Sequence, residues 1–372
     1  MTRRFSTLFL LFLFVPTRGS QAADWYVHAE SGKDAAQGTL QDPFGTIQHA
    51  VERARPGDTI HLLPRGAVVR QMILLKDKRD LTIQGNDCVL TGADPLPMDG
   101  WETLGNDLHR RRVPVAKWGR PLVVVRGRPT RMGNSASVNR PYPAPEMLRA
   151  GEFCWQPIDA KTGWITVRGS LRDLELAVRP AGVATSGTCR NITIRDLHAR
   201  HATNDGFNIH GDCRQIYFLH VTGYECFDEG LSAHDTCEVI VKDGEFWGND
   251  QAVADVNAAD SYYTRCKFRD SVSAEVVFRG GTHRLEECTI VAAAPTAFSM
   301  TLGQNLKSQE PSVPICTIIR STFRSNDARS REFILGKEGT LDLRASVLKR
   351  MLLQLKGKFS SDATTVDGRP FP

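Results

Sequence analysis

The sequence predicts an all-β fold, a right-handed parallel β-helix solenoid with a short N-terminal capping helix and an inserted β-rich module. Three observations carry that prediction. Cys189, Cys213 and Cys237 are spaced 24 and 24 apart, and Gly244, Cys266 and Cys288 are spaced 22 and 22; a self-similar step of this size marks coils that bury their apolar faces by stacking. With coils of 24, 23, 22 and 22 residues, one strand of each coil lines up with strict alternation. The apolar columns read Phe207, Leu231, Ala254, Val276, Phe298 and Ile209, Ala233, Val256, Phe278, Met300. Finally, the repeats are rich in Val, Ile, Phe and Thr with Gly or Asn at turns, which favours strands over helical coils.

Residues 1–22 read as an export signal: Arg3 and Arg4 precede the apolar run Leu8 to Val15, and Ser20-Gln21-Ala22 supplies small residues for cleavage. The run is too short to span a bilayer and no later stretch is longer, so the expected product is exported (periplasmic or extracellular) and has no membrane span. Removing the signal takes the formal charge from +5 to +2, so no strong basic field argues for nucleic acid. All nine cysteines follow the signal. They read as small buried hydrophobes of the ladder, with a disulfide between adjacent coils, such as Cys189 with Cys213, as the alternative.

Residues 23–94 read as the cap and first coils. Thr46 precedes a short amphipathic helix with Ile47, Ala50, Val51 and Ala54 on one face, stopped at Pro56-Gly57. Strands are predicted at Thr59 to Leu63, Met72 to Leu75 and Leu81 to Gln84, and the helix is placed to cover the open end of the first coil. Trp25-Tyr26-Val27, Pro43-Phe44-Gly45-Thr46-Ile47, Pro56-Gly57-Asp58-Thr59-Ile60 and Leu81-Thr82-Ile83-Gln84-Gly85 together resemble the amino-terminal cap of secreted β-helix proteins of the pectate lyase (pectin lyase-like) superfamily. That resemblance implies the fold, and it implies lyases, hydrolases or proteins without activity alike.

Residues 95–184 lose the rhythm and hold four of the six tryptophans, Trp101, Trp118, Trp155 and Trp164; they read as the inserted module. Residues 185–350 carry the main coils, with weaker ones at Ile315 to Asn326 and Leu341 to Arg350. Residues 351–372 read as an extended tail.

The chemistry is expected on the outward columns, because residues one coil apart stack ~4.8 Å from each other. His210, His234, Asn257 and Arg279 form one predicted strip, with Asn208 and Asp255 beside it and Glu275 near. The segment from Asn204 to His210 is echoed one coil later by Asp228 to His234, placing Asp205 on Glu229 and His210 on His234. Three carboxylates at one turn, Asp205, Asp228 and Glu229, repel unless neutralised, and hard oxygen donors suit Ca²⁺; turn capping is the structural alternative. Asp205-Gly206-Phe207 followed by Asp228-Glu229-Gly230 is also similar to the calcium site of one branch of pectate lyases. That similarity implies Asp205, Asp228 and Glu229 as ligands, while Ser232 stands at the branch's last acidic position and its base lysine has no placed counterpart.

Two enzymatic expectations and one non-enzymatic one follow. In β-elimination on a uronic-acid-containing polysaccharide, His234 or His210 is the base and Arg279 binds a carboxylate, with Asp255, Asn257, Glu275 and Asn208 as substrate contacts. In glycoside hydrolysis, Asp205 pairs with Glu229 or Asp255; the Gly-His-Gly and Arg-Ile-Lys motifs of polygalacturonase-like hydrolases are absent. A glycan-binding solenoid without catalysis is the third. The chain is expected to act as a monomer.

Overall fold

The computed structural model describes residues 22–114, 121–130 and 142–371. The predicted signal lies outside the described residues but for Ala22, as does Trp118. The chain winds as a parallel β-helix in which each coil gives three short strands. One coil contributes Arg214–Leu219, Thr222–Tyr224 and Glu229–Ala233, and the next Glu238–Lys242, Glu245–Trp247 and Gln251–Asp255. Equivalent strands pair in parallel, as Ile216 with Val239, Gly223 with Phe246 and Leu231 with Val253. The first two faces are joined where Arg79–Thr91 and Arg190–Arg200 each bend through the corner as one strand. The third face is a nine-stranded sheet that runs from Ile73–Lys76 to Met351–Leu355.

Corners follow from local backbone chemistry. Asp196, His220, Asp243, Arg265 and Glu287 turn the chain between the first and second faces, and each has positive φ; a single left-handed residue bends the path into the next face with no loop. Inside, Phe207, Phe218, Phe246, Phe268, Phe278, Phe298, Phe323 and Phe333 are fully buried, and Phe298 stacks on Phe333 with centroids 4.7 Å apart. The core is thus a column of rings along the axis. At the first coil the helix Ile47–Arg53 buries Ile47, Ala50 and Val51, with Thr46 accepting from the His49 N–H. Asp34 holds that cap in turn, accepting the Thr46 hydroxyl at 2.7 Å. The predicted capping helix is present and covers the coil end.

Between Gly92 and Val178 the strands turn antiparallel. Glu102–Gly105, Leu108–Pro114, Phe153–Pro157 and Thr162–Arg168 make one small sheet; Ala93–Pro95, Val123–Val125, Arg128–Thr130 and Leu174–Ala177 make another. The second is fastened to the solenoid by Phe227, which packs with Ala93, Leu122, Val124 and Ala177. Trp155 is buried in the module, and the Arg110 guanidinium covers the Trp164 ring at 4.4 Å, so neither ring lies bare for a sugar.

Two expectations are corrected here, and one alternative is set aside. The alignment that put Ala254 and Val256 inward is one residue out of register. Leu231 pairs with Val253 and Ala233 with Asp255, and the extra residue falls in the following turn, after which Val253 pairs with Val276 and Asp255 with Phe278. The segment from 351 is no loose tail: Met351–Leu355 pairs along Arg331–Leu335, and Lys358–Asp362 pairs along Thr340–Arg344. All nine cysteines are buried free thiols, so the inter-coil disulfide is absent and the thiols pack as small hydrophobes.

Candidate active site on the third face

Each third-face strand alternates, with residues such as Phe207, Leu231, Val253, Val276 and Phe298 in the core and those between them outward, so the outward positions form columns along the axis. The register stacks Asp205 on Ala181, Glu229 on Gln251, Asn208 on Ser232, and Ser232 on Ala254. One residue beyond the Ala233–Asp255 pair lie His234 and Val256, and Arg279 closes the next strand beside Thr301.

Asp205, Asp228 and Glu229 come together as expected: one ligand oxygen from each lies within 4.8 Å of the others. Oxygens held by one Ca²⁺ at 2.3–2.6 Å are at most ~5 Å apart, so the donor set and its spacing fit that ion. Asp205 is fully buried, while Asp228 and Glu229 are partly exposed. Asp205 is also the node of a hydrogen-bond network. Its Oδ1 accepts the Glu229 N–H at 3.1 Å; its Oδ2 accepts the Ser232 hydroxyl at 2.7 Å and the Asn204 amide at 2.9 Å. Sequence reasoning missed Asp250, which follows Asp228 by one 22-residue coil, donates its N–H to the Asp228 carbonyl at 2.7 Å, and accepts the Ser273 hydroxyl at 2.7 Å.

The two predicted histidines do stack, with ring centroids 4.0 Å apart and planes 11° from parallel. Their environments differ. His234 Nε2 lies 3.1 Å from Ser232 Oγ; since that hydroxyl already donates to Asp205, the network assigns the proton to Nε2. Burial, and then the His210 ring beside it, hold the His234 pKa down at about 4, so it is neutral over the physiological range. His210 is about half exposed, and its Nδ1 is 3.3 Å from Asp235 Oδ2. An Nδ1–H donated to that carboxylate leaves the Nε2 lone pair facing outward. Asp235 was not singled out from sequence; it stands one residue after His234, and the 24-residue step places it beside Gly211, whose N–H it accepts at 2.8 Å.

The remaining predicted residues separate. Arg279 is exposed at the end of Ala274–Arg279, three coils from His210 and so ~14 Å away at the parallel-strand spacing. Asn208 lies outward but is nearly buried beside Ser232, and its side-chain carbonyl has no hydrogen-bond partner among the described residues. Three predicted contacts are displaced from the surface or the strip. Asp255 points into the core, fully buried, accepting the Tyr263 hydroxyl at 2.8 Å and the Ala233 N–H at 3.0 Å; burial lifts its pKa to about 6. Glu275 is a fully buried corner residue whose Oε1 accepts the N–H groups of Ser271 and Ala293; burial also raises its pKa. Asn257 is a turn residue at φ +67 that accepts the Asp235 N–H, and Val256 takes its place in the histidine column.

No protein-family model and no curated protein matches this chain. Among solved structures, a glycoside hydrolase aligns over 93% of this chain and 97% of its own, with 11% identity and TM-score 0.58. A complex of XylC with xylose aligns over 91% of this chain and 69% of its own, with 12% identity and TM-score 0.54. The pectate lyase Pel9A aligns over 93% and 79%, with 11% identity and TM-score 0.44. Among the described residues no helix is long and apolar enough to cross a membrane. The likeness lies in the architecture: this chain has the parallel β-helix fold.

Proposed function

We propose that the third face is the active site of an exported carbohydrate-active enzyme that cleaves a uronic-acid-containing polysaccharide by β-elimination. The observation that carries this reading is the Asp205, Asp228 and Glu229 cluster on the same outer face as His210, whose ring is oriented by Asp235. Asp205, Asp228 and Glu229 would hold Ca²⁺, which when bound neutralises the uronate carboxylate and acidifies the adjacent C–H. His210 Nε2 takes the proton from the carbon α to the carboxylate. The C–H electron pair becomes a carbon–carbon double bond, and the glycosidic oxygen leaves with its bonding pair and takes up a proton. His234 supports the ring face of His210 and, being neutral, adds no charge against the protonated base. Arg279, ~14 Å along the column, reaches a carboxylate of another sugar in the same chain through its planar fork.

Hydrolysis is less well served by these residues. A general acid or nucleophile must reach the scissile bond, yet Asp205 is buried with three donors upon it, and Asp255 lies in the core. The test is a panel of galacturonate, alginate, sulfated and neutral polysaccharides, read for ultraviolet-absorbing unsaturated ends and for total reducing ends. Equal molar yields of both on a uronate polymer are expected. Reducing ends without absorbance would replace the reading with hydrolysis, and retention on a polysaccharide gel with neither product would replace it with glycan binding.

A further inference from the structure

A cleft of about 600 Å³ opens at the corner just before the acid cluster, between the solenoid and the inserted module, lined by Arg128, Pro129, Glu225, Gly248, Asp270 and Val272. Three of these are the same turn position in successive coils. Tyr224 pairs with Trp247 and Trp247 with Arg269, so Glu225, Gly248 and Asp270, each the next residue, follow in a column at φ +53, +68 and +59. Gly248 leaves a one-coil notch between two carboxylates, and a Cβ there would press on Glu225 Cγ at 3.1 Å.

The walls are built. Glu225 Oε2 is 3.2 Å from Nε2 of His201, a histidine that is fully buried and whose other ring nitrogen has no partner among the described residues. Asp270 is held by Arg269 at 2.6 Å. Arg128 faces them from the module's Arg128–Thr130 strand. Recognition here is by hydrogen bonds, because the neighbouring aromatic faces are taken: Tyr224 stacks on Trp247 at 4.7 Å and Arg269 covers Trp247 at 4.8 Å.

We propose that this cleft is a subsite for a neutral sugar unit, so that the preferred substrate mixes uronate with neutral sugars; this rests on the polysaccharide reading above. Two fixed carboxylates, two coils apart, accept hydrogen bonds from hydroxyls on opposite sides of a sugar ring but repel a third carboxylate, and Arg128 donates to ring or hydroxyl oxygens. Glu225 is three residues from Asp228, hence within ~11 Å of it along the chain, so adjoining sugars of one polymer reach both sites.

The test is calorimetric binding of three hexasaccharides to full-length His210→Ala protein: galacturonate, cello-oligosaccharide, and an alternating galacturonate–rhamnose backbone. Arg128→Ala, on the exposed module strand, and Glu225→Gln are each expected to weaken the alternating oligomer at least tenfold and leave galacturonate within twofold. Equal losses on both oligomers, no loss on the alternating one, or no binding of the alternating one before substitution would overturn the proposal. Selective binding without any cleavage by the native enzyme would instead reject elimination and leave the subsite standing.

Discussion

Replacing Asp205 by Asn probes the joint between the acid cluster and the histidine pair. The native carboxylate accepts from the Glu229 N–H on one oxygen and from Ser232 and Asn204 on the other. An amide offers one oxygen. If it faces Ser232 and Asn204, its NH₂ meets the Glu229 N–H; if it flips, its NH₂ meets the Ser232 hydroxyl and the Asn204 amide, which donate to that oxygen in the native protein. Either way a donor at the buried carboxylate loses its acceptor and the charge assistance of the others is lost, a cost of about 2–3 kcal/mol. Urea unfolding in chelator at pH 7 reads this as a lower midpoint at unchanged slope. Ca²⁺ at a hundred times its dissociation constant stabilises the native protein by about 2.7 kcal/mol, and the variant by far less. A cost below about 0.5 kcal/mol, or the same Ca²⁺ stabilisation in both proteins, would mean that Asp205 neither anchors the network nor binds the ion.

Other expectations follow from packing and protonation. His283 is fully buried, and burial holds its pKa at about 4, as it does for His234. Their folded values lie below the unfolded value near 6.5, so their contribution is intact above pH 6.5 and is lost as pH falls toward 4, about 3 kcal/mol each. Asp255, raised to about 6 by burial, contributes in the opposite sense, favouring folding below pH 3.8 and losing about 3 kcal/mol by pH 7. Urea curves between pH 7.5 and 4.5 should therefore lose acid sensitivity in His283→Gln; an unchanged pH slope would contradict this. Gly223→Ala would drive a methyl into the Gly230 carbonyl across the corner of the same coil, and a thermal scan should register at least about 3 kcal/mol of destabilisation. A thiol reagent should find none of the nine cysteines in the native protein and all nine in denaturant; fewer than nine in denaturant would indicate a disulfide.

The fold was readable because a solenoid writes its contacts into the period. The 24-residue step alone superposes Asp205 on Glu229 and His210 on His234, and both contacts occur. The register failed at Asp255 for a physical reason: alternation alone assigns a carboxylate to the solvent side, and the partners that satisfy this one in the core, Tyr263 and the Ala233 N–H, come from another strand and another coil. Glu275 misleads in the same way, its burial being balanced by backbone donors at a corner. Asp235 escaped notice because its role depends on a turn that folds it back under His210, 25 residues earlier. The module between Gly92 and Val178 has no period, and its antiparallel pairing depends on contacts such as Leu176 with Val123 that leave no local pattern.

The most direct test of the central claim is the initial rate of unsaturated-end formation on a uronate polymer by native protein and by His210→Ala, each checked for native Ca²⁺ binding. Clear absorbance growth is expected from the native protein, with a loss of at least about a hundredfold in the variant, the share that a positioned base supplies. Undiminished elimination by the variant would contradict it.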